Sequence, residues 1–360
     1  MIPIKVQYPG IMDDCYRPVI SEMKNTLTDV VSNGYIGKKR CKRKYGQWMS
    51  YYKGLDCYQK DKFKMVNFDP CMVSYKETDD VSAYDDIIDE RTFDFFSWMK
   101  EEKNMEGLLF CEPDSFPWGN IKDESIINEL KNKDGNLFAF TKKVFVAIYT
   151  DVLDKAKFID AIGTDVCPYC NRTFIRNVEY KDEKGREGYV KGELDHFYSK
   201  DSYPHLALSV YNLVPSCPFC NHGKRNMPSA ELVNPFTLKS ANDAKFRMEI
   251  NGGGFVDLNN CAESIHIRIE DDKKVLGDNI KAFHLEELYN THRDYAAEVY
   301  YKKKLKLNPT YCEFVNRQLK ELHIPSLSKE DISRILWGYY PQEDFSKRVL
   351  SKFLHDLYNY

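Results

Sequence analysis

Two short cysteine pairs, Cys167-Pro-Tyr-Cys170 and Cys217-Pro-Phe-Cys220, are the residues whose types and spacing point most directly to chemistry. Four thiolates presented by two Cys-x-x-Cys pairs close a tetrahedral shell around zinc, and a structural zinc contributes folding free energy directly. The matching Cys-Pro-aromatic-Cys composition of the two pairs separates them from cysteines that merely pack.

A second set of residues lies between and just after the pairs: Glu193-Leu-Asp195-His196-Phe197, then Tyr211-Asn212-Leu213-Val214-Pro215-Ser216, then Cys220-Asn221-His222-Gly223-Lys224. A carboxylate beside a histidine at a strand end places the carboxylate on a divalent metal and the imidazole toward a water molecule. Those are the two parts that phosphodiester hydrolysis needs. The metal polarises the phosphate and stabilises the leaving oxygen, and a neutral histidine of unperturbed pKa, roughly 6.5, accepts the water's proton near neutrality. Asn221, tied to the zinc through Cys220, is placed to offer its amide oxygen as a further metal ligand, and Lys224, three residues on, to reach a substrate phosphate. Each has a plainer reading: His196 as a core histidine, Asn212 as a turn asparagine, Lys224 as a surface lysine. His205 and His222 read as structural, and His266, His284, His292, His323 and His355 have no spacing that marks a site. A thiol oxidoreductase is a third possibility, since Cys-Pro-Tyr-Cys looks like the glutaredoxin motif. That motif sits after the first strand of a small domain and needs no second pair.

The order Cys-x-x-Cys, Asp-His, Asn-Leu-x-x-x-Cys-x-x-Cys-Asn-x-x-Lys resembles the zinc-stapled branch of the HNH, or ββα-metal, endonucleases over about 60 to 70 residues. The resemblance implies a β-hairpin and a helix gripping one catalytic metal. It implies His196 as general base, Asp195 and Asn221 as ligands of that metal, and Asn212 as the brace of the loop that orients His196. Many members have histidine where this chain has Asn221, and oxygen-rich ligation favours Mg2+ or Mn2+. Within the group, Cys-Pro-Tyr-Cys-Asn-Arg and Asp-His-Phe-Tyr-Ser-Lys look similar to nucleases of Septu-type anti-phage systems, including retron-associated ones. That implies an ATPase partner of the SMC/ABC kind beside the DNA or RNA substrate. The competing reading is a zinc ribbon that binds nucleic acid or protein without catalysis, which would have no use for Asp195, His196 and Asn221.

These residues need elements to position them. At 360 residues the chain exceeds one ordinary domain, and 42% hydrophobic with 14% aromatic residues is globular. The expected class is α+β, with a zinc-stapled core at 158–232 between a mainly helical region at 1–157 and, at 233–360, a short β element followed by helices. Thr173 to Tyr180 and Tyr189 to Phe197 alternate as strands around a charged turn at Lys181 to Gly188. Asp89 to Met105, Glu124 to Lys133 and Leu137 to Leu153 read as helices. Lys245 to Ile250, the Gly252 to Gly254 turn and the alternating Ile265, Ile267 and Ile269 read as an antiparallel pair. Ser328 and Asp331 form a capping-box pattern. No internal repeat is present. No membrane-length apolar stretch is present, the N-terminal residues do not read as a secretory leader, and the eleven cysteines fit a reducing compartment, so the expected location is cytoplasmic. A formal charge of -3 argues against binding by bulk cationic attraction, which leaves Lys38 to Lys44 and Lys302 to Lys306 as local basic clusters. Trp48, Tyr51 and Tyr52 beside the first cluster are candidate partner anchors.

Overall fold

The structure is a computed structural model, and it describes residues 1–5, 10, 12–33, 90–185, 187–190, 192–224, 231–251, 264–304, 309–328, 331, 335 and 342–359. The Lys38 to Lys44 cluster with Trp48, Tyr51 and Tyr52, the Gly252 to Gly254 turn and Lys306 lie outside these residues. The class is α+β, with short two-stranded sheets among many helices. No described helix is long and apolar enough to cross a membrane.

The helices in chain order are α1 (Arg17–Asn33), α2 (Glu90–Met99), α3 (Glu102–Leu109), α4 (Glu124–Lys131), α5 (Asn136–Asp151), α6 (Lys155–Ile162), α7 (Pro218–Gly223), α8 (Gly277–Ala282), α9 (Leu285–Tyr289), α10 (Arg293–Lys304), α11 (Pro309–Glu321) and α12 (Ser351–Asn359). The strands are β1 (Val178–Lys181), β2 (Glu187–Val190), β3 (Glu193–His196), β4 (Leu213–Ser216), β5 (Lys245–Ile250) and β6 (Ile265–Glu270). They pair as β1 with β2, β3 with β4 and β5 with β6. Two compact units emerge, one of residues 1–6, 162–194 and 215–360, the other of 7–161 and 195–214. They interleave distant stretches of chain rather than following one another along it, and the division falls inside β3 and β4.

The unit of residues 7–161 and 195–214 is helical because its apolar residues recur at helical spacing. Val19, Met23 and Leu27 line one face of α1, and α5 buries Leu137, Phe138, Phe140, Val144, Phe145 and Ile148. Phe96 meets Phe95 at 5.6 Å and Phe140 at 5.4 Å, both edge to face. The Asp123 carboxylate caps α4 by accepting from the Ser125 and Ile126 backbone N–H groups. The expected helix from Asp89 to Met105 is two helices, broken around Lys100 and Glu101.

In the other unit the expected antiparallel pair of β5 and β6 runs in register from Lys245 opposite Glu270 to Ile250 opposite Ile265. Ile265 and Ile267 turn inward onto Phe246, Tyr289, Ala296, Val299, Phe353 and Leu357, so this hairpin, α10 and α12 share one core. Into that core α12 carries the buried Lys352 and Asp356, paired with each other, and Asp356 also accepts from the Phe246 backbone N–H at 3.0 Å. Ser328 and Asp331 exchange the reciprocal hydrogen bonds of a capping box.

The expected strand from Tyr189 to Phe197 is split into β2 and β3. Gly192 causes the break: its backbone N–H donates to Ile175 O at 3.3 Å, and a Cβ there would lie 2.8 Å from both the Ile175 carbonyl oxygen and Cβ. The chain passes Ile175 too closely for any side chain, so it leaves the hairpin with β1 before pairing with β4.

Candidate functional site

Cys167, Cys170, Cys217 and Cys220 converge: all four are buried and their sulfurs lie within 4.8 Å of one another. Cys170 Sγ and Cys217 Sγ are 3.9 Å apart. A tetrahedron with Zn–S bonds of about 2.3 Å has an edge of about 3.8 Å, so the spacing fits a zinc ion. Burial pushes the Cys167 thiol well above its usual range, whereas hydrogen bonds from Cys167, Cys170 and Cys220 hold Cys217 far below its own. Four sulfurs this close and this dry compete for protons, and a cation resolves that competition by taking all four as thiolates.

The surrounding bonds fix the first knuckle. The Tyr289 hydroxyl, fully buried, donates to Cys170 O at 2.5 Å. Asn171, in the left-handed conformation at φ 54, is buried, and its Nδ2 donates to Phe345 O at 3.0 Å and Arg348 O at 3.2 Å. Its Oδ1 accepts from the Lys352 backbone N–H at 3.0 Å. Arg172 Nε donates to His292 Nε2 at 2.9 Å. Sequence reasoning missed Asn171, although an asparagine directly after the knuckle is a residue type that tolerates a left-handed backbone.

Asp195 and His196 end β3. Asp195 is buried, and His196 is half-buried with Tyr149 of α5 edge to face at 4.5 Å. His196 Nε2 stands 3.1 Å from Ala207 O. A carbonyl only accepts, so Nε2 carries the hydrogen, and in the neutral ring the lone pair belongs to Nδ1.

The loop that follows is held by Asn212, fully buried, whose Oδ1 accepts from the Tyr198 N–H at 2.7 Å. Its Nδ2 donates to Tyr198 O and Leu206 O, both at 3.0 Å. The Tyr16 hydroxyl donates to Leu208 O at 2.7 Å, and His205 Nε2 is 2.7 Å from Pro117 O, so residues 204–210 are pinned to earlier segments of their own unit.

Asn221 belongs to α7, which begins immediately after Cys217. Its Nδ2 donates to Glu193 Oε2 at 2.6 Å, and His222 Nε2 stands 3.7 Å from the same oxygen. Glu193 was passed over in the sequence because only its motif neighbours suggested chemistry. Lys224 is buried at the C-terminal end of α7, its N–H donating to Cys220 O and His222 O, and does not project from an open face. Lys302 pairs with Glu298 on α10. Among the described residues, no group of three or more His, Cys, Asp and Glu ligand atoms other than the four cysteines lies this close together.

Compared with protein-family models, with characterised proteins and with solved structures, the chain matches none of them.

Proposed function

We propose that this protein is a metal-dependent endonuclease of the HNH type. The observation that carries the reading is the hydrogen bond from His196 Nε2 to Ala207 O. It fixes the tautomer a general base requires, with Nδ1 as the atom that takes the proton from water. Asn212, bonded to Tyr198 and Leu206, holds the stretch of chain that carries Ala207. The chain order of β3, β4 and α7, with Asp195-His196 ending the first and a zinc knuckle opening the last, supports the same reading. In it Asp195 and Asn221 are the ligands of Mg2+ or Mn2+, which when bound polarises the phosphate and stabilises the leaving oxygen. The four cysteines hold a structural Zn2+.

The test is cleavage of supercoiled plasmid, single-stranded DNA and RNA by the purified chain with Mg2+ or Mn2+, with EDTA as control. His196→Ala should lower the rate about 100-fold to 10,000-fold with zinc content and folding unchanged. A variant rate within threefold of the wild type removes His196 from the mechanism. The resemblance to Septu-type nucleases adds an ATPase partner in anti-phage defence to this reading. Co-expression with a neighbouring ATPase and size-exclusion chromatography at micromolar concentration tests it, and separate elution sinks it.

A further inference from the structure

We infer that Glu193 is a positioning residue for the catalytic metal, acting by orienting the side chain of Asn221; this rests on the reading of Asn221 as a ligand. A carboxylate can only accept hydrogen bonds, so the amide atom 2.6 Å from Glu193 Oε2 is Nδ2 and not Oδ1. That settles which way the amide faces. The group is planar, so fixing Nδ2 on Glu193 turns Oδ1, the one atom of the side chain that ligates a hard cation, to the opposite side. An asparagine rotating freely would present nitrogen and oxygen with comparable frequency, and the nitrogen repels a cation.

The two residues are well suited to this. Asn221 is held at its backbone, where its N–H donates to Cys217 O at 3.0 Å in the first turn of α7, next to the zinc ligand Cys220. Glu193 is the first residue of β3, two before Asp195 in the same strand. Its carboxylate oxygen accepts from the Asn221 amide at 2.6 Å, a short hydrogen bond. His222 Nε2, 3.7 Å from the same oxygen, adds a second contact on the carboxylate. Outer hydrogen bonds of this kind orient metal ligands and commonly set affinity by about 10-fold to 100-fold.

The experiment is calorimetric titration of Mn2+ into the full zinc-loaded chain, with wild type, Glu193→Ala, Glu193→Gln, Asn221→Ala and the Glu193→Ala/Asn221→Ala pair. Zinc content and the circular dichroism melt verify folding of each. Glu193→Ala should weaken Mn2+ binding about 10-fold or more, and Glu193→Gln, whose carbonyl still accepts the amide, should stay within threefold. In the Asn221→Ala background the added Glu193→Ala should change nothing, because Glu193 acts through Asn221. Unchanged binding in Glu193→Ala overturns the inference. So does a Glu193→Gln loss equal to that of Glu193→Ala, which would make the carboxylate itself a ligand, or a Glu193→Ala loss that persists without Asn221. A wild type that binds no Mn2+ overturns both the inference and the metal in the proposed function. Mn2+ binding as expected with no cleavage of any polymer overturns the nuclease reading alone.

Discussion

His205 shows what burial does to one titratable side chain in this protein. It sits 1% exposed beneath Trp118, stacked at 5.3 Å, with Nε2 on Pro117 O and no hydrogen-bond partner for Nδ1 among the described residues. Burial pushes its pKa down to about 4. In the unfolded chain it titrates near its ordinary value, roughly 6.5. A lowered folded pKa means that the unfolded state binds the extra proton, so the stability this neutral imidazole provides is complete above about pH 6.5 and is lost as the pH falls toward 4. His205→Gln removes that proton. Between pH 7 and pH 4.5 the wild type should lose roughly 2 to 3 kcal/mol more than the variant, read from urea midpoints. Parallel losses would show that the acid sensitivity lies elsewhere. Residues of this kind separate what the sequence discloses from what it conceals. The cysteine quartet was legible because its spacing is itself the signal, and Asn212 was singled out by its place in a motif. Asn171 and Glu193 were not, because their partners are Lys352, 181 positions away, and Asn221, 28 positions away.

Among the elements, the β1–β2 hairpin and its exit into β3 carry two glycines with opposite tolerance. At Gly192 an added Cβ meets the Ile175 carbonyl oxygen at 2.8 Å, and backbone cannot move aside. At Gly188 it meets the Tyr180 ring and hydroxyl at 2.7 Å, the far end of a half-exposed side chain that can swing away. Gly192→Ala should therefore cost about 1 to 3 kcal/mol and Gly188→Ala much less, about 0.5 kcal/mol, in paired thermal melts. Equal costs would mean that Ile175 yields as easily as a tyrosine ring. The same glycine explains an error of periodicity. Residues 189–197 alternate well enough to read as one strand, and alternation cannot show that two different partners share it. Helices were easier to read. The apolar stripe of α5 and the Asp123 cap of α4 are local signals, whereas the break between α2 and α3 is not announced by any glycine or proline.

For the whole molecule, the two cysteine knuckles and the helical core near α5 belong to different units, each with its own buried residues. Metal removal should act on them unequally. The first knuckle holds residues 345–352 through Asn171 and meets Tyr289 of the α10 and α12 core through Cys170 O, so its loss propagates within one unit. Hydrogen exchange after chelation, or in Cys170→Ser, should show protection falling first across 345–359 and β5–β6, with α5 retaining it longer. Elemental analysis of the untreated protein should give one zinc per chain. Simultaneous loss of protection at α5 and α12 would mean that the zinc supports both cores equally.

The bond between Asn171 and Lys352 also has a history in time. A ribosome adds about 5 to 20 residues per second, so roughly 10 to 35 seconds separate the synthesis of these two partners. Cys170 and Cys217, 47 positions apart, are made within about 2 to 9 seconds of each other at the same rate, well before the partner of the buried Asn171 amide. The residues that bond to the first knuckle, Tyr289, Phe345, Arg348 and Lys352, are therefore made after every proposed member of the active site.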